Sequence, residues 1–218
     1  MNYLSHFYFY SKEHDPYYNC GLIFPDWLSS YQRLRLNKPM IATNKSEEHL
    51  VKGIQNHFLG DKTFHSSDYF REHTQAIKRI LEKTSLDKNR FRFSFLAHVL
   101  LEMMIDRLLL LKNPESGTLF YDNLDACDDE LLLYFAQNNS EADEGFKLMI
   151  QKFKQYRYIL QYVDVDTFVY SFRRIASRVG IVFEEMELTE IKGQICDIEN
   201  IIDRDFSKIV TLFDTHEK

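Results

Sequence analysis

Apolar positions recur along this 218-residue chain at intervals of three and four, the spacing of one face of an α-helix. The densest case is Phe95–Leu111, FLAHVLLEMMIDRLLLL, which is apolar on almost every face and so predicts a helix buried on most sides. Besides Arg107 it carries three polar side chains, His98, Glu102 and Asp106. They lie four residues apart and are therefore stacked in one stripe. A carboxylate in such a helix loses its hydration and has to be protonated, paired with a cation or bound to a metal ion. For this segment alone the simpler account is a polar stripe at a groove, with Arg107 pairing a neighbouring acid and His98 an ordinary core histidine.

The same periodicity predicts further helices on either side. Residues 2–10 are mostly aromatic and are read as a helix; Glu13–Pro16, with the pair His14–Asp15, is read as a loop. An apolar and aromatic pattern resumes from about Tyr17 to Arg33. Pro25 within it places Asp26 at a helix start or a kink, where its carboxylate is accessible. A linker ending near Ser46 leads to an amphipathic helix over Glu47–Leu59. His57 and Asp61 share a face only if that helix runs through Gly60, and glycine commonly ends helices. Ser67–Glu82 is helical in register, with His65 and His73 near its start, and Asp87 is a plausible cap for the central helix. After the break at Asn113–Gly117, helices are expected at about 118–137, 141–162, 166–179 and 189–213, with Gly180 a stop and Thr189 a cap. The expected fold is all-α, a single-domain multi-helix bundle of about eight or nine helices spanning 1–218.

Composition narrows the setting. Seven glycines and four prolines are far below the average usage of about 12% and favour long unbroken helices. Three widely spaced cysteines without a CxxC pattern suggest neither a zinc knuckle nor a disulfide framework, and point to a reducing, cytoplasmic setting. The opening MNYLSHFYFY lacks a basic leader region, and no stretch approaches the ~18 uncharged apolar residues of a membrane span, so no membrane association is expected. A formal charge of −6 gives no support for nucleic-acid affinity. The aromatic residues, not interleaved with a basic run, are expected to pack the core.

The candidate chemistry is a scattered set of imidazoles and carboxylates: His6, Asp26, His57 with Asp61, His65, and the central His98, Glu102 and Asp106. Such ligands suit divalent ions such as Mn²⁺, Fe²⁺, Zn²⁺ or Mg²⁺, which acidify bound water and clamp a phosphoryl oxygen. A histidine four residues from an aspartate is nevertheless common on ordinary helices. Gly-rich phosphate loops, GxSxG, HExxH and the kinase motifs are missing. Cys127 lies among Asp125, Asp128, Asp129 and Glu130, a poor place for a nucleophilic thiolate.

The order of these candidates resembles the bacterial acyl carrier protein phosphodiesterases, which look like distant relatives of the HD-type metal-dependent phosphohydrolases. MNYLSH is similar to that family's opening motif and matches His6; Gly21-Leu-Ile-Phe-Pro-Asp26 resembles its Gly-Asn-Leu-x-x-Asp; and Gly53-Ile-Gln-Asn-His57-Phe-Leu-Gly-Asp61 fits its Gly-Ile-x-x-His-x-x-x-Asp. Tyr170–Arg178 and the closing helix resemble its C-terminal half. The resemblance implies an HD-domain-like fold. It also implies hydrolysis of the phosphodiester joining 4′-phosphopantetheine to a serine of holo-acyl carrier protein, with Mn²⁺ or Mg²⁺ as cofactor. His6, Asp26, His57 and Asp61, closed over by His98 and Glu102, would hold the ion or its water. Asp26, His57 and Asp61 would be catalytic, and Arg33, Arg35 and His65 would contact substrate. The chain departs from the family in carrying His98 and Glu102 where aspartates are usual, and His65 where the family has the aspartate of a Thr-Asp pair. An acidic carrier calls for a positive surface, for which Arg33, Arg35 and Lys38, or Arg173, Arg174 and Arg178, are candidates. Two alternatives stand beside this expectation: an HD-like site for a nucleotide or other small phosphoester, and a non-catalytic helical binding protein derived from the enzyme.

Overall fold

Helices carry the whole described architecture. The computed structural model describes residues 1–214, which contain twelve α-helices, one 3-10 helix and no β-strand. In chain order they are α1 (Tyr3–Tyr10), α2 (Pro16–Gly21), α3 (Phe24–Gln32), α4 (Lys45–Ser66), α5 (Asp68–Leu81), α6 (Phe93–Lys112), α7 (Pro114–Asp125), α8 (Asp129–Asn139), α9 (Glu144–Tyr156), the 3-10 turn Tyr158–Val163, α10 (Val165–Ser177), α11 (Glu185–Arg204) and α12 (Phe206–Asp214). Among the described residues, no helix is long and apolar enough to cross a membrane.

The helices are more numerous than the periodicity predicts because several expected elements are broken by caps. The expected helix 118–137 divides at Ala126–Asp128, where Asp128 accepts from Glu130 N–H and restarts the chain as α8. The last expected helix begins earlier, with Glu184 and Glu187 in a reciprocal capping box in place of the Thr189 cap, and it divides at Asp205. The opposite correction applies at Gly60, which does not end α4. A Cβ there would come within 2.8 Å of Met1 and Tyr10 side-chain atoms, so that glycine serves close packing inside a continuing helix.

Contacts sort the chain into two compact units. The first comprises Met1–Lys62 and Asn113–Leu160; the second comprises Thr63–Lys112 and the chain from Gln161 onward. The first unit has an aromatic core. Phe153 on α9 meets the rings of Tyr3 (5.0 Å between centroids), Trp27 (5.5 Å), Tyr121 (5.7 Å) and Tyr158 (5.0 Å). Each such pair adds roughly 0.5–1.5 kcal/mol beyond its area burial, so the aromatic content goes into packing as expected. In the same unit α2 crosses α4 with two glycines back to back: a Cβ on Gly21 would lie 2.2 Å from the Leu50 carbonyl oxygen, and one on Gly53 only 2.0 Å from that of Tyr18. No side chain fits there. The close approach brings Leu22, just past the end of α2, against the middle of α4. Cys20 and Cys127 are buried in this unit. Burial, and then the Cys127 thiol beside it, push the Cys20 thiol well above its ordinary pKa.

The second unit is built on α6, which packs against α5, α10 and α11. Leu96, Leu100, Leu101, Met104 and Ile105 are fully buried, as the nearly all-round apolar pattern predicts. Arg107, also buried, meets the acid foreseen for it: its Nε donates to Glu199 at 2.7 Å and its Nη1 to the carbonyls of Tyr162 and Val163. On α11 of this unit Cys196 is exposed.

Candidate metal centre

Three elements of the first unit bring the N-terminal candidates together. His6 comes from α1, Asp26 from the first turn of α3, where Pro25 stands at a helix-starting position, and His57 and Asp61 from one face of α4. His6 and His57 are buried, and their rings stack at 4.0 Å between centroids with 23° between planes. Asp61 completes the group. Its Oδ1 lies 3.2 Å from His6 Nε2 and its Oδ2 lies 3.5 Å from His57 Nε2, and the chain's terminal ammonium donates to Oδ1 at 2.7 Å. Ligand atoms of the three side chains all lie within 4.8 Å of one another.

The hydrogen bonds fix which nitrogen of His57 is available. His57 Nδ1 lies 2.9 Å from the Leu22 carbonyl oxygen, and a carbonyl can only accept, so Nδ1 carries the proton. Burial, and next the neighbouring His6, push the His57 imidazole down to about 3, against the opposing pull of Asp61. His57 is therefore neutral at ordinary pH, with the bare lone pair of Nε2 turned toward Asp61. Burial works against ionisation of Asp61, yet His6 and the terminal ammonium hold its carboxyl far below the ordinary range. A lone pair facing a carboxylate is an arrangement that a cation between them stabilises. Two neutral-capable imidazoles and one carboxylate form a donor set that fits Mn²⁺, Fe²⁺ or Zn²⁺ more closely than the all-oxygen shell favoured by Mg²⁺.

A cavity of about 410 Å³ opens beside this group, lined by Pro25, Asp26, Leu28, Ser29, Leu34, Arg35, Leu36, His57 and Phe58. Asp26 and His57 thus share a wall, as the expectation for a common site requires. Arg35 is on it too. The chain reaches that wall through a tight stop at the end of α3: Arg33 takes the left-handed conformation (φ 57°), and Leu34 N–H bonds back to the Leu28 carbonyl at 3.0 Å. Arg33 itself is exposed and is not among the lining residues. A larger cavity of about 620 Å³ in the same unit, bordered by Phe7, Lys12, His14 and Asn123, contains none of the candidate ligands. Chemistry therefore selects the smaller one.

Within the second unit His98 and Glu102 stand with His65, which the sequence reading assigned to substrate contact. The Nε2 atoms of His65 and His98 each lie 3.0 Å from Glu102 Oε1. Burial opposes ionisation of Glu102, and the hydrogen bonds of His65 and His98 are among the influences that hold its carboxyl well below the ordinary range. Asp106, the last residue of the stripe, is fully buried. Of the proposed basic surfaces, Arg173 is committed to Glu185 at 3.0 Å, whereas Arg33, Arg35 and Lys38 are exposed in the first unit.

Two contributors had no signal in the sequence: the Leu22 carbonyl that sets the His57 tautomer and the terminal ammonium on Asp61. A third, the paired close approach of Gly21 and Gly53, is visible in sequence only as two glycines that open the motifs containing Asp26 and His57. Comparison with protein-family models, curated proteins and solved structures finds no match.

Proposed function

We propose that the first unit carries an HD-like, metal-dependent phosphoesterase centre in which His6, His57 and Asp61 hold a divalent ion and the adjoining cavity receives a phosphate ester. The observation that carries this reading is the bare Nε2 of His57 aimed at the Asp61 carboxylate, with Asp26 on the wall of the cavity that His57 lines. When bound, a divalent ion supplies a Lewis acid for the phosphoryl oxygens and lowers the pKa of water. The protein's own part follows from placement. Asp26 is half-buried at the cavity wall, where a carboxylate can accept a proton from an attacking water. Arg35 offers a planar guanidinium to the phosphate, and Leu28, Leu34, Leu36 and Phe58 limit the water that reaches it.

The motif resemblance supplies the substrate, the phosphodiester of holo-acyl carrier protein. The cavity supports a slender arm more than a folded protein, since about 410 Å³ is the volume of a small-molecule site. The exposed Arg33, Arg35 and Lys38 suit an acidic carrier resting outside. Incubating the protein with Mn²⁺ and holo-acyl carrier protein is expected to remove the phosphopantetheine mass and leave the apo form, read by intact-protein mass spectrometry. An unchanged carrier mass with metal-loaded protein would overturn the substrate assignment. The cavity volume equally favours a nucleotide-sized phosphoester, and turnover of such esters without a carrier protein would select that second reading.

A further inference from the structure

His65 lies in the last turn of α4, and His98 and Glu102 lie on the second and third turns of α6. We propose that these three side chains form a second cation site, a solvent-open His₂Glu set that takes a borderline transition ion, such as Zn²⁺, Fe²⁺ or Mn²⁺, in preference to Mg²⁺. It uses none of His6, His57 and Asp61, the ligands proposed for the first unit.

The geometry carries the inference in three ways. Two imidazole nitrogens converge on the same oxygen, each at 3.0 Å. Ligands about 2.1 Å from a common ion and at right angles to one another are themselves separated by about 3 Å, so little movement is needed to admit the ion. The two rings are packed by aromatic neighbours: Phe70 stands edge-on to His65 at 4.9 Å and to His98 at 4.9 Å, and Phe64 packs on His65 at 5.4 Å. Apolar walls that fix ring planes lower the cost of assembling a coordination set. The trio is also accessible, with the His65 and His98 side chains 35% and 38% exposed. Three protein ligands on an open face leave positions for water or an incoming ligand, the pattern of reactive metal sites and not of closed structural ones. Imidazole gives the set its selectivity, because Mg²⁺ prefers oxygen and dehydrates reluctantly.

The test is calorimetric titration of the metal-free full-length protein with Zn²⁺ or Mn²⁺. A His57→Ala background removes the first-unit site, so that binding at the trio is read alone. One equivalent is expected in His57→Ala. It should be weakened by more than the roughly 100-fold that loss of an outer partner can cost when His98→Ala or His65→Ala is added, and it should persist in excess Mg²⁺. Co²⁺ in the same background is expected to give a visible absorption band that His98→Ala abolishes. Glu102→Gln, which keeps side-chain shape, gives a second variant whose circular dichroism checks folding. An equivalent that survives His98→Ala and His65→Ala, its absence from folded His57→Ala protein, or its displacement by Mg²⁺ would each overturn the proposal. Failure of the first site instead appears as wild-type stoichiometry unchanged by His57→Ala, so the two readings fail separately.

Discussion

His57 uses both ring nitrogens, one donating to Leu22 and one directed at Asp61, and Arg35 and Asp26 face the cavity that His57 lines. Different roles give different kinetic signatures. With a phosphodiester substrate, Arg35→Ala is expected to raise KM by about tenfold or more while leaving kcat within a few-fold, because one charge-assisted contact is worth about 1.5–3 kcal/mol. Asp26→Asn is expected to lower kcat by about 10²-fold or more with little change in KM, the usual contribution of a placed base. Equal effects of the two substitutions on kcat would argue against this division of labour. Part of the candidate site was legible in sequence: type, spacing and motif context single out His6, Asp26, His57 and Asp61, and the structure groups His6, His57 and Asp61 with Asp26 on the cavity that His57 lines. That His65 would join His98 and Glu102 was not, since α4 and α6 are separated by α5 and sequence spacing says nothing about which helix ends meet.

At the level of helices, the three- and four-residue spacing located nearly every element, and its failures have local causes. Short caps such as Asp128 and Glu184 cut runs whose apolar pattern continues across the break, so periodicity alone joins α7 to α8 and misplaces the start of α11. Gly60 failed the other way, because a glycine that serves packing looks the same in sequence as one that ends a helix. Gly53 and Gly193 make the distinction measurable. A Cβ at Gly53 would sit 2.0 Å from the Tyr18 carbonyl oxygen, whereas one at Gly193 on α11 meets nothing within 4 Å. Gly53→Ala is expected to destabilise by about 1–3 kcal/mol through overpacking, and to displace Leu22 from His57. Gly193→Ala is expected to stabilise by roughly 0.5–1 kcal/mol. Thermal melts of the two variants should move in opposite directions.

For the molecule as a whole, the grouping into two units was hidden because each is assembled from segments far apart in the chain: Met1–Lys62 joins Asn113–Leu160, and Thr63–Lys112 joins the chain from Gln161. Composition gave the sign of the net charge but not its distribution, and the exposed Arg33, Arg35 and Lys38 stand against a formal total of −6. The thiols are divided just as unevenly. Cys20 and Cys127 lie in the interior of the first unit, the former held protonated by its surroundings, while Cys196 is open on α11 of the second. A maleimide dye added to the native protein is therefore expected to attach once per chain, at Cys196, with the other two reacting only after denaturation. The wild-type sequence thus comes with its own handle for fluorescence work: a reporter on the second unit, ready to signal events around α11 without a single engineered cysteine.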